Sequence, residues 1–307
     1  MVLAYDEPRV RSHSDTFQAE RTVVLCFTLR KERSVRERRE SQWVAGAVFA
    51  AAAITATYVV TRSKADETVE IVYPPLDTPK PLTENIWIVD SGPIKPAGLA
   101  LPLRMTVFRT SGGDLLLHSP CRHTPALARA LEAIGPVKHL IAPTTAHWTF
   151  LKSWQDAIAN ATTWAVPGLR DRAQVRASGV RIDRDLADEA PLEWRDDIRQ
   201  GLIRGRGLCE AYFFHTPSRT LVLTDLIENL APAKLPPVTA AVMRALLATR
   251  GTVALHARAA LLMGGADTRA AIRAMLELAP ETVLFAHGDV FTDDAEDRLR
   301  QAFAWLS

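Results

Sequence analysis

Short apolar runs, each closed by a histidine or an aspartate, recur beyond residue 100 of this chain and limit the folds open to it. LLLHSP closes at His118, HLIAPTTAH at or just past His147, LVLTD at Asp225 and VLFAHGDV at His287. Brief apolar runs bounded by turn residues read as buried strands. Imidazoles and a carboxylate at several strand ends can gather along one edge of a layered sheet structure, which is how open catalytic metal sites are built. Each residue alone has a plainer reading. A strand-end histidine is commonly a satisfied structural residue, and Asp225 can cap the turn that follows it. The repetition is what points to ligand chemistry.

The intervening sequence fits the same picture. Residues 86–89 and 105–109 read as strands, with Ser111, Gly112, Gly113 and Asp114 as the turn after the second. Thr124 followed by Pro125 opens a helix, threonine as the N-cap and proline at the first helical position. Phe150, Leu151, Trp154 and Ile158 share one face of a second helix. Residues 168–195 are polar and poorly periodic. Strands then return at 198–204, 210–215 and 220–225, followed by helices at 238–249, 267–278 and 293–306. Strand pairs first and strand–helix units among them give a layered α/β sandwich over residues 83–307, with much antiparallel pairing. No strand leads into a Gly-x-Gly-x-x-Gly or Walker loop. His215 at its hairpin, His123 before a helix cap, His139 at a strand start and His256 in a loop are read as structural or solvated.

The first 82 residues read differently. Residues 43–60, WVAGAVFAAAAITATYVV, carry no charge. With its flanks, 42–61, the stretch is close to the about 20 residues that span a bilayer as a helix. Trp43 and Tyr58 lie near its ends, where interfacial aromatics belong. A core helix and a cleaved signal peptide are the alternatives, but the neighbouring sequence offers neither a core nor a small-x-small cleavage site. Six basic residues in RKERSVRERRE precede the span, which places residues 1–41 in the cytoplasm and the main domain on the non-cytoplasmic side. Residues 1–41 read as a basic, disordered tail, in which Val35 is an alternative start. Residues 62–82, rich in proline, read as a stiff linker. The lipid bilayer is therefore one expected partner. Nucleic acid is not, because 37 basic and 35 acidic residues nearly cancel and no aromatic-studded basic stripe is present. Cys26, Cys121 and Cys209 form no Cys-x-x-Cys pair; Cys121 and Cys209 could join in an oxidising compartment, with buried thiols the plainer reading.

The segments ENIWIVDSGPI, MTVFRT, LLLHSP, HLIAPTTAH, EAYFFHTPSRTLVLTDLIEN and VLFAHGDV, in this order, resemble an uncharacterised family related to the metallo-β-lactamase-like hydrolases. The resemblance implies that superfamily's αββα sandwich, with a metal site along one edge between two sheets. It also exposes departures. The superfamily's His-x-His-x-Asp-His signature is reduced here to His147, with Trp148 where the family tends to have a second histidine. Gly207, Leu208, Cys209 and Glu210 replace its Gly-His-Thr-Pro-Gly. Asp225 matches the bridging aspartate, and His287 the late histidine. The implied ligands are thus His118, His147, Asp225 and His287, with Glu210 as a substitute carboxylate, for one divalent metal: zinc, manganese or iron. Asp225 and His147 are the expected catalytic residues. Two functions follow. The site is degenerate and the domain a membrane-anchored, non-catalytic binding module; or it hydrolyses an ester, lactam or phosphodiester with a metal-activated water.

Overall fold

The computed structural model describes residues 72–306. Among these, two sheets stack face to face. The first runs in the order β1 (Lys80–Thr83), β2 (Ile86–Ile94), β3 (Leu101–Arg109), β4 (Leu115–His118), β5 (Val137–Ala142), β6 (Thr162–Ala165), β7 (Arg184–Asp185). β1 to β4 pair antiparallel and β4 to β7 parallel. The second sheet has the order β11 (Thr282–Leu284), β10 (Thr220–Val222), β9 (Leu208–His215), β8 (Ile198–Gly205). Within it, β10 and β11 are parallel and the other pairs antiparallel.

Alternation along β9 shows what each face meets. Ala211 and Phe213 belong to the core shared with the first sheet, whereas Tyr212 and Phe214 pack into a second core on the other side. Helices α1 (Pro125–Glu132), α2 (Leu151–Ala157) and α3 (Ala173–Ser178) contribute Leu127, Leu131, Leu151, Trp154 and Val175 to the core of the first sheet. The second core is closed by α5 (Leu255–Leu262), α6 (Gly265–Leu276) and α7 (Ala295–Phe303), through Ala257, Leu261, Ile272, Met275 and Leu299. A further helix, α4 (Pro237–Ala245), packs with Leu230 and Leu235 in a small satellite core. This is a mixed α/β sandwich with helices outside both sheets. Leu115, Leu116 and Leu117 are all buried because β4 is covered on both faces.

Local chemistry explains the elements. The Thr124 hydroxyl accepts the Leu127 N–H at 3.1 Å, with Pro125 starting α1, as the sequence leads one to expect. Two expectations change. His256 lies on α5 rather than in a loop, because the run of alanine and leucine around it is a good helix former whose burial falls on two residues per eight. The proline-rich stretch is not free after residue 72: Lys80–Thr83 pairs with β2, and Asp77 N–H donates to the Asp90 carbonyl at 2.8 Å. For Cys121 and Cys209 the plainer reading holds: both are free thiols, Cys121 buried and Cys209 partly so. Among the described residues no helix is long and apolar enough to cross a membrane. The uncharged segment 43–60, the basic tail and Cys26 lie outside the described residues.

Candidate metal centre

Parallel strands deliver their C-terminal ends to a common edge, and the two sheets meet there. The loop after β5 carries His147, the loop after β10 carries Asp225, and the loop after β11 carries His287. Their donor atoms lie within 4.8 Å of one another. His147 Nε2 is 3.0 Å from Asp225 Oδ1, His287 Nε2 is 3.5 Å from the same oxygen, and the two Nε2 atoms are 3.2 Å apart.

Each donor is held from behind. His287 Nδ1 sits 2.6 Å from the Pro102 carbonyl, which can only accept, so Nδ1 bears a hydrogen and Nε2 is the atom turned to the cluster. His147 Nδ1 lies 2.6 Å from the Ser119 hydroxyl. Thr144 Oγ1 donates to Asp225 Oδ2 at 3.0 Å and accepts from the amides of Ala146 and His147, so one hydroxyl orients both the carboxylate and the His147 loop. Ser119 directly follows β4 with φ of 56°, a strained backbone for a non-glycine residue. At 2% exposure it is a positioning hydroxyl and not an accessible nucleophile.

Gly288 makes the approach of the two loops feasible. Its φ is 93°, and a Cβ there would overlap the Asn229 carbonyl. Asn229 O accepts from Asp289 N–H at 2.9 Å, and Asn229 Nδ2 donates to the Asp289 carbonyl at 2.8 Å, lacing the loop after Asp225 to the loop after His287.

Electrostatics agree with the geometry. Burial alone would raise the Asp225 carboxyl, but the charge and hydrogen bond of His147, then those of His287, hold it well below the usual carboxylate range. Burial works against protonated His287, yet the hydrogen bond and charge of Asp225, then Glu228, raise its pKa. Two imidazole lone pairs and a carboxylate facing one point demand a proton or a cation among them. The separations fit a metal. Ligands about 2.0–2.1 Å from a tetrahedral ion lie about 3.3–3.4 Å from each other, and the three edges here are 3.0, 3.2 and 3.5 Å. Holding Nδ1 by a hydrogen bond is the habit of metal-ligating histidines, and both rings here are so held. The Asp225 side chain is 26% exposed against 8% for His147 and 6% for His287, so the cluster opens to solvent on the carboxylate side.

The structure thus brings together His147, Asp225 and His287. It places His118 and Glu210 beside them in other roles. His118 is buried edge-on against Phe213 at 5.0 Å between centroids, its Nε2 unpartnered, and burial followed by the neighbouring His147 lowers its pKa to about 3. Glu210 is occupied: Oε1 accepts from Thr224 N–H at 2.6 Å, and Oε2 from the amides of Asp225 and Leu226 at 2.8 and 2.9 Å. It shapes the turn that presents Asp225 instead of offering a ligand atom. Burial, then the Asp225 charge, push its carboxyl up to about 8 against the pull of those amides. Trp148, at the position of the missing histidine, packs against the main core.

The supporting residues Pro102, Thr144, Ser119 and Gly288 were not singled out by the sequence reading. Only one signal was available, an arginine inside the apolar strand LPLRMTVF: Arg104, 5% exposed, donates through Nη1 to the carbonyls of Phe285 and Gly288 at 3.3 and 2.7 Å.

The profile of a family described as Domain of unknown function (DUF4336) matches residues 83–274. No curated protein matches the chain. Among solved structures, the DIM-1 metallo-β-lactamase superposes with a TM-score of 0.54 at 11% identity, covering 78% of this chain and 100% of its own. TMB-1 gives 0.51 at 11% identity, over 74% of this chain and 97% of that one. VMB-1 also gives 0.51 at 11% identity, over 78% and 99%. At such identities the likeness establishes the fold alone.

Proposed function

The chain belongs to the DUF4336 family, and we propose that it is a metal-dependent hydrolase with one divalent ion held by His147, Asp225 and His287. The observation that carries this reading is the convergence of three donor atoms, two of them backed at Nδ1, at the spacing of ligands around a single small ion. Two imidazoles and one carboxylate suit zinc or iron(II); manganese prefers an oxygen-richer set. When bound, such an ion polarises a carbonyl or phosphoryl oxygen and lowers the pKa of water.

The chain's own residues supply the rest. Pro102 and Ser119 fix the imidazoles, so their lone pairs need no reorientation. Thr144 holds the second oxygen of Asp225, leaving the first for the cluster. Asp225 is the solvent-facing member, so a substrate would reach the cluster on that side. The substrate classes that suit this chemistry are esters, lactams and phosphodiesters. The uncharged segment 43–60 is proposed to tether the domain to a bilayer, with the domain on the non-cytoplasmic side; digestion of the basic tail by protease added outside sealed right-side-out vesicles would refute that placement.

The deciding measurement is elemental analysis of the full chain purified without chelator, beside His287→Ala and Asp225→Asn. About one transition-metal ion per chain, lost in both variants, is expected. A folded protein without metal that cannot be loaded with zinc or iron(II) would return the domain to the non-catalytic binding module.

A further inference from the structure

The loop that carries His287 is held from an unexpected direction, by the segment that precedes the family match. Lys80 Nζ donates to the Tyr73 carbonyl at 2.9 Å and pairs with Asp90 Oδ2 at 2.5 Å. Asp90 Oδ1 pairs in turn with Arg104 Nη2 at 2.9 Å. The other arm of that guanidinium binds the carbonyls of Phe285 and Gly288, one on each side of His287, and Arg104 N–H donates to the carbonyl of Ala286 between them at 2.8 Å. The Tyr73 ring closes the arrangement, with Lys234 Nζ 3.6 Å and Arg104 Cζ 5.3 Å from its centroid. Asp77 adds two ties, its N–H to the Asp90 carbonyl and its Oδ1 accepting from Ser91 Oγ at 2.7 Å.

Burying an arginine and an aspartate at 5% and 3% side-chain exposure is a poor way to gain stability, since well-packed apolar residues usually do as well or better. What a planar guanidinium adds is direction. Its fork addresses two carbonyls and a carboxylate at fixed angles, which an apolar pair cannot do. Those carbonyls bracket a residue whose own Nδ1 is anchored on Pro102, two residues before Arg104 in the same strand. Backbone and side chain of the His287 loop are thus both referenced to the start of β3.

We propose that residues 73–80 form an arm of the metal site, and that Lys80, Asp90 and Arg104 are positioning residues for His287. This rests on the metal reading above. No comparable link runs from the arm to His147, which is set by Ser119 and Thr144. Disturbing the arm therefore moves one ligand and leaves the other in place. A domain trimmed to begin at residue 83 would keep His287 but lose Tyr73 and Lys80, and with them this support.

The test uses the full chain. Arg104→Met strands a buried aspartate beside a single remaining cation and is liable to unfold, so the informative variants are at the outer end: Lys80→Met and Tyr73→Leu, with Lys80→Arg as the conservative partner and Lys152→Met as a remote control. Two readouts are taken, Co²⁺ affinity with its visible absorption spectrum, and the imidazole ¹⁵N resonances of His287 and His147 in metal-free protein. Lys80→Met and Tyr73→Leu are expected to weaken Co²⁺ binding by about 10-fold or more, to alter the spectrum, and to shift His287 while His147 stays. Lys80→Arg restores the parent behaviour. Unchanged affinity with unshifted His287 resonances in both variants would overturn the proposal. If the parent protein binds no Co²⁺, the metal reading falls by itself, and the His287 resonances alone decide whether the arm holds that loop.

Discussion

Replacing Gly288 by alanine separates two penalties that are commonly merged. The first is conformational: an L-residue held at a φ of 93° is disfavoured, by roughly 1–2 kcal/mol. The second is local. The new methyl overlaps the Asn229 carbonyl, so the loops after Asp225 and His287 must part. Parting breaks the Asp289 N–H to Asn229 bond of 2.9 Å and the Asn229 Nδ2 to Asp289 bond of 2.8 Å, at about 1 kcal/mol each. The sum is about 3–4 kcal/mol. Gly113 supplies the control, with a φ of 88° and nothing near its missing Cβ. Gly113→Ala should therefore cost only the conformational part, roughly 1–2 kcal/mol. The assay is urea denaturation of both variants and the parent, with Zn²⁺ affinity measured alongside. Gly288→Ala should be the less stable by about 2 kcal/mol and should bind zinc more weakly, whereas Gly113→Ala binds it normally. Equal destabilisation of the two variants with parental zinc affinity would refute the argument that close loop approach builds the site.

Other expectations follow from single contacts. Thr144→Val removes the bond to Asp225 Oδ2 and the cap on the amides of Ala146 and His147; zinc affinity, read by competition with a chelating dye, should fall by about 10- to 100-fold, and parental affinity would dismiss the role given to Thr144. His118 is held neutral, burial pushing its pKa down to about 3 from the ordinary 6.5 of an imidazole, so the unfolded chain binds the extra proton as pH falls. Its contribution is present above pH 6.5 and is lost progressively below it, about 2 kcal/mol between pH 7 and 5. Glu210 and Glu228, pushed up to about 8 and about 7 with burial the main cause, act in the opposite sense, so the check is a difference. Against the parent, metal-free His118→Gln should retain about 2 kcal/mol more of its stability on going from pH 7 to 5, and parallel pH profiles would contradict this. Chelator should lower the melting temperature of metal-loaded protein while leaving Asp225→Asn unaffected, because an ion bound only to the folded state stabilises it.

Much of the sandwich was legible because its signals are local. Thr124–Pro125 states a helix start in two residues, and the alternation of Ala211, Tyr212, Phe213 and Phe214 states a strand with two covered faces. The three convergent side chains were legible too, as polar residues ending apolar runs. What escaped was everything set by long-range approach. Nothing near Glu210 says that its carboxylate is used up by amides beginning at Thr224, and nothing near His118 says that its strand-end imidazole turns into the core against Phe213. The role of Thr144 depends on a partner 81 residues away. α5 was missed for a different reason. Its short apolar run has little amphipathic contrast, with Leu255 and Leu262 exposed while Ala257 and Leu261 are buried.

His147 and His287 stand 140 residues apart along the chain and on loops of different sheets. An ion shared between them is a reversible cross-link closing a very long loop, and the closure entropy of such loops grows only slowly with length. The two imidazoles cannot meet until both sheets have formed and stacked, so on the proposed reading an ion would bind the finished topology and nothing earlier. Metal uptake during refolding would then time the last step of assembly.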